Sequence, residues 1–567
     1  MSGNDGDTRN DWDAIVVGSG MGGLVCAAYL AVAGHRVLVL EQHDVAGGNS
    51  HTFRRRRAYQ FDVGVHYLGD CGPDGVLPAI LGGLGLRDRV RFLEMDRDGF
   101  DRIMLPGLTI DVPAGWARYR DRLIAALPRD AAGITTFTGI CEDIAAAGRR
   151  GLLSPGIGLQ AIAGRAENHR WAKCSLAELL DHCELSTVAR TVLAAQSGNY
   201  GAAPEDVCVA THAGVMDHYL RGAYYPVGGG QVLAASLVEV IEAYGGEVRT
   251  RCVCRRIMVD HGRAAGVEIA DDIKLRAPIV ISNADYRRTI LELCGPDSGI
   301  SPVLVARARA ATMRLPLVVL YLALDIELPD TPNANIWWLD TEDIEQRYAE
   351  LRDGASGTLP LIFISNASVK EQGQGPASPA GHTNLQVMTM CPPGYEFWEL
   401  SGGPADGVRY RRDPRYVAAK QRLTNAMLTA AESAIGPFRE HIVHCEIATP
   451  LTNERYTFAR GGTAYGLNRW GPRGSRPDMR PDIGTSVPGL YVVGQSTRFG
   501  SGILGTAISG IMCASRILGR PLLPEVHAGA VLANVSRLPD RAPGWDPLAV
   551  SRGKRRQGAR GLARIRA

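Results

Sequence analysis

A strand, glycine turn, helix and second strand within the first forty residues constrain this chain more than anything else in it. Asp13-Ala-Ile-Val-Val17 is a short apolar run suited to a buried parallel strand, and Gly18-Ser-Gly-Met-Gly-Gly23 follows with no residue between. Gly18 permits a tight turn, Gly20 lets the backbone approach a pyrophosphate, and Gly23 allows a helix to pack closely on the strand. Met21 to Ala33 reads as an alanine-rich helix whose free N-terminal amides and dipole suit phosphates, and Gly34 ends it. Arg36-Val-Leu-Val-Leu40 is then the second strand. Glu41 sits at its carboxyl end, where a carboxylate accepts hydrogen bonds from a ribose 2′-hydroxyl and disfavours the 2′-phosphate of NADP. An α/β dinucleotide-binding unit is therefore expected.

A second glycine-rich segment, Gly494-Gln-Ser-Thr-Arg-Phe-Gly-Ser-Gly502, lies more than 470 residues later. It follows the apolar strand Gly489-Leu-Tyr-Val-Val493 and precedes a helix from Ile503 to Leu518, with Gly505 and Gly510 at packing positions. Between the two segments, Val45-Ala-Gly-Gly-Asn-Ser-His-Thr-Phe53 places Gly47 and Gly48 just after the ribose-binding strand, where backbone can pass close to a cofactor. This combination favours a flavin dinucleotide, with its adenylate half on the N-terminal turn, over a nicotinamide cofactor. No second strand-Gly-x-Gly-x-x-Gly unit is present for a nicotinamide.

At 567 residues the chain exceeds what one core supports, and 45% hydrophobic content with 67 glycines indicates a globular α/β body of two joined domains. No stretch reaches eighteen apolar residues, and the acidic N-terminus does not resemble a signal peptide, so a cytoplasmic protein is expected. The cysteines include no Cys-x-x-Cys pair, which favours buried reduced thiols over a metal site or disulfides. Residues 552–567 hold seven arginines and lysines and no acid, so without them the formal charge of +3 becomes −4. That basic tail is expected to be disordered, and no nucleic-acid partner is expected.

Leu40-Glu-Gln-His43, Ala46-Gly-Gly48 with His51-Thr-Phe53, and Phe61-Asp-Val-Gly-Val-His-Tyr67 together resemble the phytoene desaturase, carotenoid isomerase and retinol saturase family of FAD enzymes. The His-Thr-Phe and Gly-x-His-Tyr phrases favour its saturase branch, and Asn49, where amine oxidases typically carry Arg, disfavours an amine oxidase. The resemblance implies a Rossmann-type FAD-binding domain interleaved with a sheet-plus-helices substrate domain. Residues 12–70, 222–285 and 450–520 would form the first, and 71–221 with 286–449 the second, followed by a C-terminal extension over 521–567.

FAD would be held by Gly18, Ser19, Gly20, Gly22, Gly23, Glu41, Gln42, Gly47, Gly48, Asn49 and Ser50, by the backbone of Val253, and by Gly494, Gln495 and Ile503. The reaction implied is saturation of a double bond in a lipophilic conjugated polyene. Desaturation and cis–trans isomerisation use the same flavin geometry, and prenyl-binding chaperones of the GDP-dissociation-inhibitor type share the fold without flavin chemistry. Reduction needs a proton for the second carbon, and His66, Tyr67 and Tyr465 are the candidate donors. Electrons would come from NAD(P)H as an external reductant or from a donor protein.

Further expectations concern the surface and the substrate domain. Gly246 to Cys254 reads as one strand, with Cys252 and Cys254 on the same side. Arg54 to Arg57 read as the solvated tip of a β-hairpin. Trp337, Trp338, Tyr395, Phe397 and Trp398 read either as a tunnel wall or as core. The glycine-rich, apolar segment from 151 to 164, flanked by arginines, reads as a membrane-contact element, a mobile loop or a buried cap.

Overall fold

The computed structural model describes residues 12–154, 170–328, 331–354, 359–371, 373–468 and 480–553. Its first layer is a five-stranded sheet in the order Glu247–Arg249, Val37–Leu40, Ala14–Val17, Ile279–Ser282, Leu490–Val492. Every neighbouring pair in it is parallel. Alternation decides what each face meets. Ala14, Val16, Val37 and Val39 pack under the helices Met21–Val32, Gln231–Ala243 and Gly502–Leu518. Ile15, Val17, Leu38 and Leu40 pack on an antiparallel meander of Cys254–Asp260, Arg263–Ile269 and Lys274–Arg276. Both faces are covered, as near-continuous apolar strands require.

Close helix packing explains two glycines directly. A Cβ on Gly23 would lie 2.4 Å from the Gly18 carbonyl oxygen, and one on Gly510 would lie 2.4 Å from that of Gly22. Hydrogen there lets the helices Met21–Val32 and Gly502–Leu518 meet each other and the turn.

The segment expected as one strand from Gly246 to Cys254 is two. The parallel strand stops at Arg249, the chain passes through Arg251 at φ 56°, and the second strand joins the meander on the opposite face. The backbone of the connection stays tied to the residues that follow the Val37–Leu40 strand: Arg251 N–H donates to His43 O at 2.9 Å and Cys252 N–H to Glu41 O at 2.8 Å.

The second layer system is a seven-stranded sheet in the order Ile442–Ala448, Leu317–Leu324, Thr383–Met390, Ile362–Asn366, Asn335–Trp338, Asp101–Leu105, Leu108–Val112. It is antiparallel except where Asn335–Trp338 meets Asp101–Leu105. Period-two alternation again assigns faces. Val318, Leu320, Leu322 and Leu324 pack beneath the long helix Pro414–Ile435, whereas Val319, Tyr321 and Ala323 face the helices drawn from residues 116–220.

This division resolves the aromatic cluster. Trp337 is on the second of these faces, whereas Trp338, Tyr395, Phe397 and Trp398 belong to the core under the long helix. Of the five, Trp337 alone lines the cavity described below.

The arginine hairpin is also less solvated than expected. Arg54 makes a two-pronged ion pair with Asp546 at 2.8 and 2.9 Å, and Arg55 holds Glu446 with its Nη2 at 2.8 Å. Arg56 and Arg57 alone occupy the exposed turn, both at positive φ. The Asp546 contact comes from the C-terminal extension, which closes back on the first domain: Arg541 and Trp545 both donate to Glu239, at 2.8 and 2.7 Å.

Residues 554–567, and with them nearly all of the basic tail, lie outside the described residues, as do 155–164 of the apolar segment; Gly151 to Leu153 close the helix Ala131–Leu153. Arg149, one of the flanking arginines, is not a surface charge but pairs with buried Asp70 at 2.9 and 3.0 Å. Among the described residues no helix is long and apolar enough to cross a membrane.

Candidate functional site

Glu41 is the best-fixed polar group of the N-terminal turn. It is buried, its Oε2 accepts from the Ser19 N–H at 2.9 Å and the Ser19 hydroxyl at 2.6 Å, and its Oε1 accepts from the His43 N–H at 2.8 Å. These bonds hold the carboxylate at the carboxyl end of its strand while leaving a lone pair of Oε1 for a further donor. Ser19 and Gly23 were expected among the residues around the dinucleotide, but neither lines the cavity. Ser19 acts from behind through Glu41, and Gly23 serves the packing of helix on turn. The other expected cofactor residues, from Gly18 and Gly20 through Val253 to Ile503, all line one cavity.

The residue that joins the two glycine segments is Asn283, just beyond the Ile279–Ser282 strand. A Cβ on Gly20 would lie 2.6 Å from its Nδ2, one on Gly494 would lie 2.7 Å from its Oδ1, and one on Gly22 would lie 3.1 Å from the same oxygen. Gly20 is thus needed for the chain's own side-chain packing as well as for approach to a ligand. Gly48 passes over this crossing in turn, with a Cβ there placed 3.0 Å from Gly20 Cα.

Two helices begin on the same cavity. Met21–Val32 has Gly20 and Gly502–Leu518 has Ser501 at its N-cap, and neither cap position gives a side-chain hydrogen bond to the helix amides. Each start leaves free N–H groups and the positive end of a dipole, which together suit anionic or electron-rich ligand atoms.

The cavity measures about 1230 Å³, beyond the roughly 300–1,000 Å³ of ordinary small-molecule sites, so it has room for more than one ligand moiety. From Glu41 and the turns it runs to a wall of Leu317, Val319, Trp337, Phe363, Met388 and Met390 on the large sheet. The helix Val209–Leu220 faces it, with Val215 and Tyr219 among the lining residues.

His66, Tyr67 and Tyr465 all line this cavity. They differ in the groups that stand behind them. His66 Nδ1 lies 2.7 Å from Gln386 Oε1, and burial with the Lys370 charge lowers its pKa to about 3, so the ring is neutral. Tyr465 has no side-chain hydrogen bond among the described residues, and burial raises its pKa to about 12 although Arg314 beside it acts in the opposite sense.

Tyr67 is different because its hydroxyl is held on a buried carboxyl group. Its ring stacks on Tyr219 at 4.0 Å, its hydroxyl accepts from Asn199 Nδ2 at 2.8 Å, and it donates to Asp101 Oδ2 at 3.1 Å. Burial, with Asp101 adding to it, holds the phenol neutral well above pH 10.

Asp101 is fully buried at the start of its strand and receives Gln196 and Asn335 as well as Tyr67; burial raises its pKa to about 6. Lys370 lies behind Asn335. Its Nζ donates to the Asn335 side-chain oxygen, to His66 O at 2.8 Å and to Ser365 Oγ at 2.7 Å, and burial lowers its pKa to about 7. Asp62, which accepts from the Tyr225 hydroxyl and from Gly230 N–H at 2.7 Å, is raised by burial to about 6. Neither Asp101 nor Lys370 is marked by any motif. Both stand among other polar and charged residues, Asp101 between Asp98 and Arg102 and Lys370 between Ser368 and Glu371, and most of their partners come from remote parts of the chain.

Comparison with known proteins agrees with this geometry. The family model of NAD(P)-binding Rossmann-like domains matches residues 16–84. The chain is 28% identical over 543 residues to all-trans-retinol 13,14-reductase of Danio rerio, covering 91% of this chain and 88% of that one. It is 27% identical over 532 residues to the chloroplastic prolycopene isomerase of Arabidopsis thaliana, covering 89% and 82%. The resemblance drawn from the motifs therefore extends over about 90% of the chain.

Among solved structures, an oxidoreductase from Methanosarcina mazei superposes with TM-score 0.60 at 18% identity, over 89% of this chain and all of that one. Cyclohexylamine oxidase from Brevibacterium oxydans does so with TM-score 0.58 at 17% identity, over 90% and 99%. At such identities the likeness is one of fold: an α/β dinucleotide-binding architecture with a second, sheet-containing domain.

Proposed function

We propose that this chain is an FAD-dependent oxidoreductase that saturates a carbon–carbon double bond of a retinoid- or carotenoid-like conjugated polyene. The observation that carries the reading is one continuous cavity, with a dinucleotide cradle at one side, an apolar wall at the other, and Tyr67 backed by buried Asp101 on its lining. The relative named all-trans-retinol 13,14-reductase supports this direction, and the one named prolycopene isomerase supports the substrate class alone.

The residues present fit FAD. Glu41 would take the adenosine ribose, the amides at the start of Met21–Val32 the pyrophosphate, and the Val253 backbone the adenine. Gln42, Gly47, Gly48, Asn49 and Ser50 line the path of the chain between them, and Gly494, Gln495 and the Gly502–Leu518 helix start, with Ile503, would face the isoalloxazine. FAD bound there supplies hydride exchange with a substrate carbon. The protein's own tasks are then to hold the polyene against the sheet wall, exclude water and protonate the neighbouring carbon.

Tyr67 performs the last task. Protonation of Asp101 reverses the hydrogen bond that Tyr67 makes to the carboxylate; the Tyr67 hydroxyl proton then goes to the carbon as the Asp101 carboxyl proton moves to the phenol oxygen. The carboxylate left behind is held by Gln196 and Asn335, with the Lys370 charge beyond. Electrons reach the site from NAD(P)H acting transiently or from a donor protein.

The test is to purify the chain, titrate it with FAD, photoreduce it without oxygen and mix it with all-trans-retinol or prolycopene. A product heavier by two hydrogens is expected. Unchanged mass with altered geometry would make it an isomerase, loss of two hydrogens by reaction with the oxidised protein alone would make it a desaturase, and failure to bind FAD would leave a lipid carrier.

A further inference from the structure

The cavity contains a buried cation that neither the dinucleotide cradle nor the proton relay uses. Arg314 stands three residues before the Leu317–Leu324 strand, is 5% exposed, and lines the cavity beside Tyr465. Its backbone N–H is fixed on Gly466 O at 3.0 Å, and its Nη1 donates to Tyr200 O at 2.9 Å. No carboxylate pairs with it among the described residues.

That sets it apart from other substantially buried arginines of this chain. Arg149 pairs with Asp70, Arg190 with Glu345 and Asp181, and Arg541 with Glu239. A desolvated guanidinium without a counter-charge is costly, and here the cost is increased by a like charge. Arg480 lines the same cavity, and burial with its field lowers the Arg314 pKa to about 10. With one nitrogen occupied by the Tyr200 carbonyl, the guanidinium has donors left in a fork that matches the two oxygens of a carboxylate.

We propose that Arg314 receives a carboxylate carried by the polyene, so that this chain acts on a polyene acid in preference to a neutral alcohol, ester or hydrocarbon. The proposal rests on reading the cavity as a polyene site. The flavin has its own partners in the Glu41 turn and the two helix starts, whereas Arg314 belongs to the approach to the substrate-domain sheet. Tyr465 supplies a second donor, since its neutral hydroxyl is available to the same carboxylate. The apolar wall takes the chain and the guanidinium fixes its end, which sets the double bond that lies against the flavin.

The experiment compares all-trans-retinoic acid, its methyl ester and all-trans-retinol as ligands of the FAD-loaded full chain, by quenching of protein fluorescence at constant ionic strength. The acid is expected to bind at least about tenfold tighter than the ester. Arg314→Gln is expected to erase that ratio with the ester's affinity unchanged, and Arg314→Lys to retain part of it. The comparison of acid with ester in the unaltered protein needs no variant to fold.

Equal binding of acid and ester would overturn the proposal and leave the polyene reading standing. Binding of none of the three by a protein that holds FAD would overturn both. A shift in flavin midpoint potential or FAD retention in Arg314→Gln, with the acid-to-ester ratio intact, would assign Arg314 to the flavin and overturn the proposal.

Discussion

Tyr67→Phe is expected to lower the rate of polyene reduction by about 10²–10³-fold while FAD binding stays as it was. The phenol is the only group of the three candidates whose hydroxyl touches the cavity and also contacts a buried acid, Asp101, at 3.1 Å. Removing the oxygen leaves the ring stack on Tyr219 and Phe363 in place, so the loss measures proton delivery rather than packing. Single-turnover reoxidation of the reduced flavin by the polyene is the measurement. A Tyr67→Phe protein that turns over as fast as the parent would remove Tyr67 from the chemistry.

The pH dependence has a definite sign. Asp101 titrates at about 6 in the folded chain, raised by burial from 3.8, and the relay needs its protonated form. Activity is therefore highest below pH 6 and falls as pH rises through 6, approaching tenfold per unit once the carboxyl is mostly ionised. Raised in this direction, the same group contributes folding stability below 3.8 that is lost as pH rises through about 6. Asp101→Asn cannot pass a proton to Tyr67, so its slow residual rate is expected to lack that limb. A profile unchanged in shape would show that Asp101 does not feed Tyr67.

The second large effect is expected at Glu41. Glu41→Ala removes three hydrogen bonds to a carboxylate and leaves the Ser19 and His43 amides without their partner. An unpaired buried N–H costs about 1–3 kcal/mol, so destabilisation of about 2–4 kcal/mol is expected even without ligand. The ribose contacts are lost as well, and FAD affinity is expected to fall by about 100-fold or more, giving a protein that loses its yellow colour on dilution. Fluorescence titration with FAD and thermal unfolding with and without it measure the two parts separately. Glu41→Gln keeps the volume but turns an amide NH₂ toward either Ser19 or His43, both donors, so it is expected to lose affinity too, by a smaller factor. Unchanged FAD binding in both variants would place the adenosine elsewhere.

The N-terminal architecture was legible because its physics is local. Strand, turn, helix and acid follow one another within forty residues, and the glycines of the turn have nearby steric reasons, Gly23 against Gly18 O being the clearest. The strand at Leu317–Leu324 was legible for a related reason, since an unbroken apolar run has few other places to go, and Leu385 to Met390 was legible from its apolar residues although Gln386 and Thr389 interrupt them.

What stayed hidden depends on contacts between distant segments. Asn283 looks like an ordinary loop residue until the Gly20 and Gly494 turns are brought against it. Asp101 meets Tyr67, Gln196 and Asn335, and Lys370 reaches the carbonyl of His66, a partner 304 residues away. Arg54 and Arg55 read as a solvated tip because their counter-charges, Asp546 and Glu446, are hundreds of residues downstream. The break after Arg249 escaped notice because alternation continues across it, and only the positive φ of Arg251 sends the chain to the other face.

The central claim is that a flavin held by the two glycine segments passes its electrons to a polyene on the sheet wall. The most direct measurement mixes photoreduced, FAD-loaded protein with all-trans-retinol or all-trans-retinoic acid in the absence of oxygen and follows the flavin and polyene absorbance together. The expected result is return of the oxidised flavin spectrum, matched mole for mole by shortening of the conjugated chain. Flavin that stays reduced while the polyene spectrum is unchanged would contradict the account.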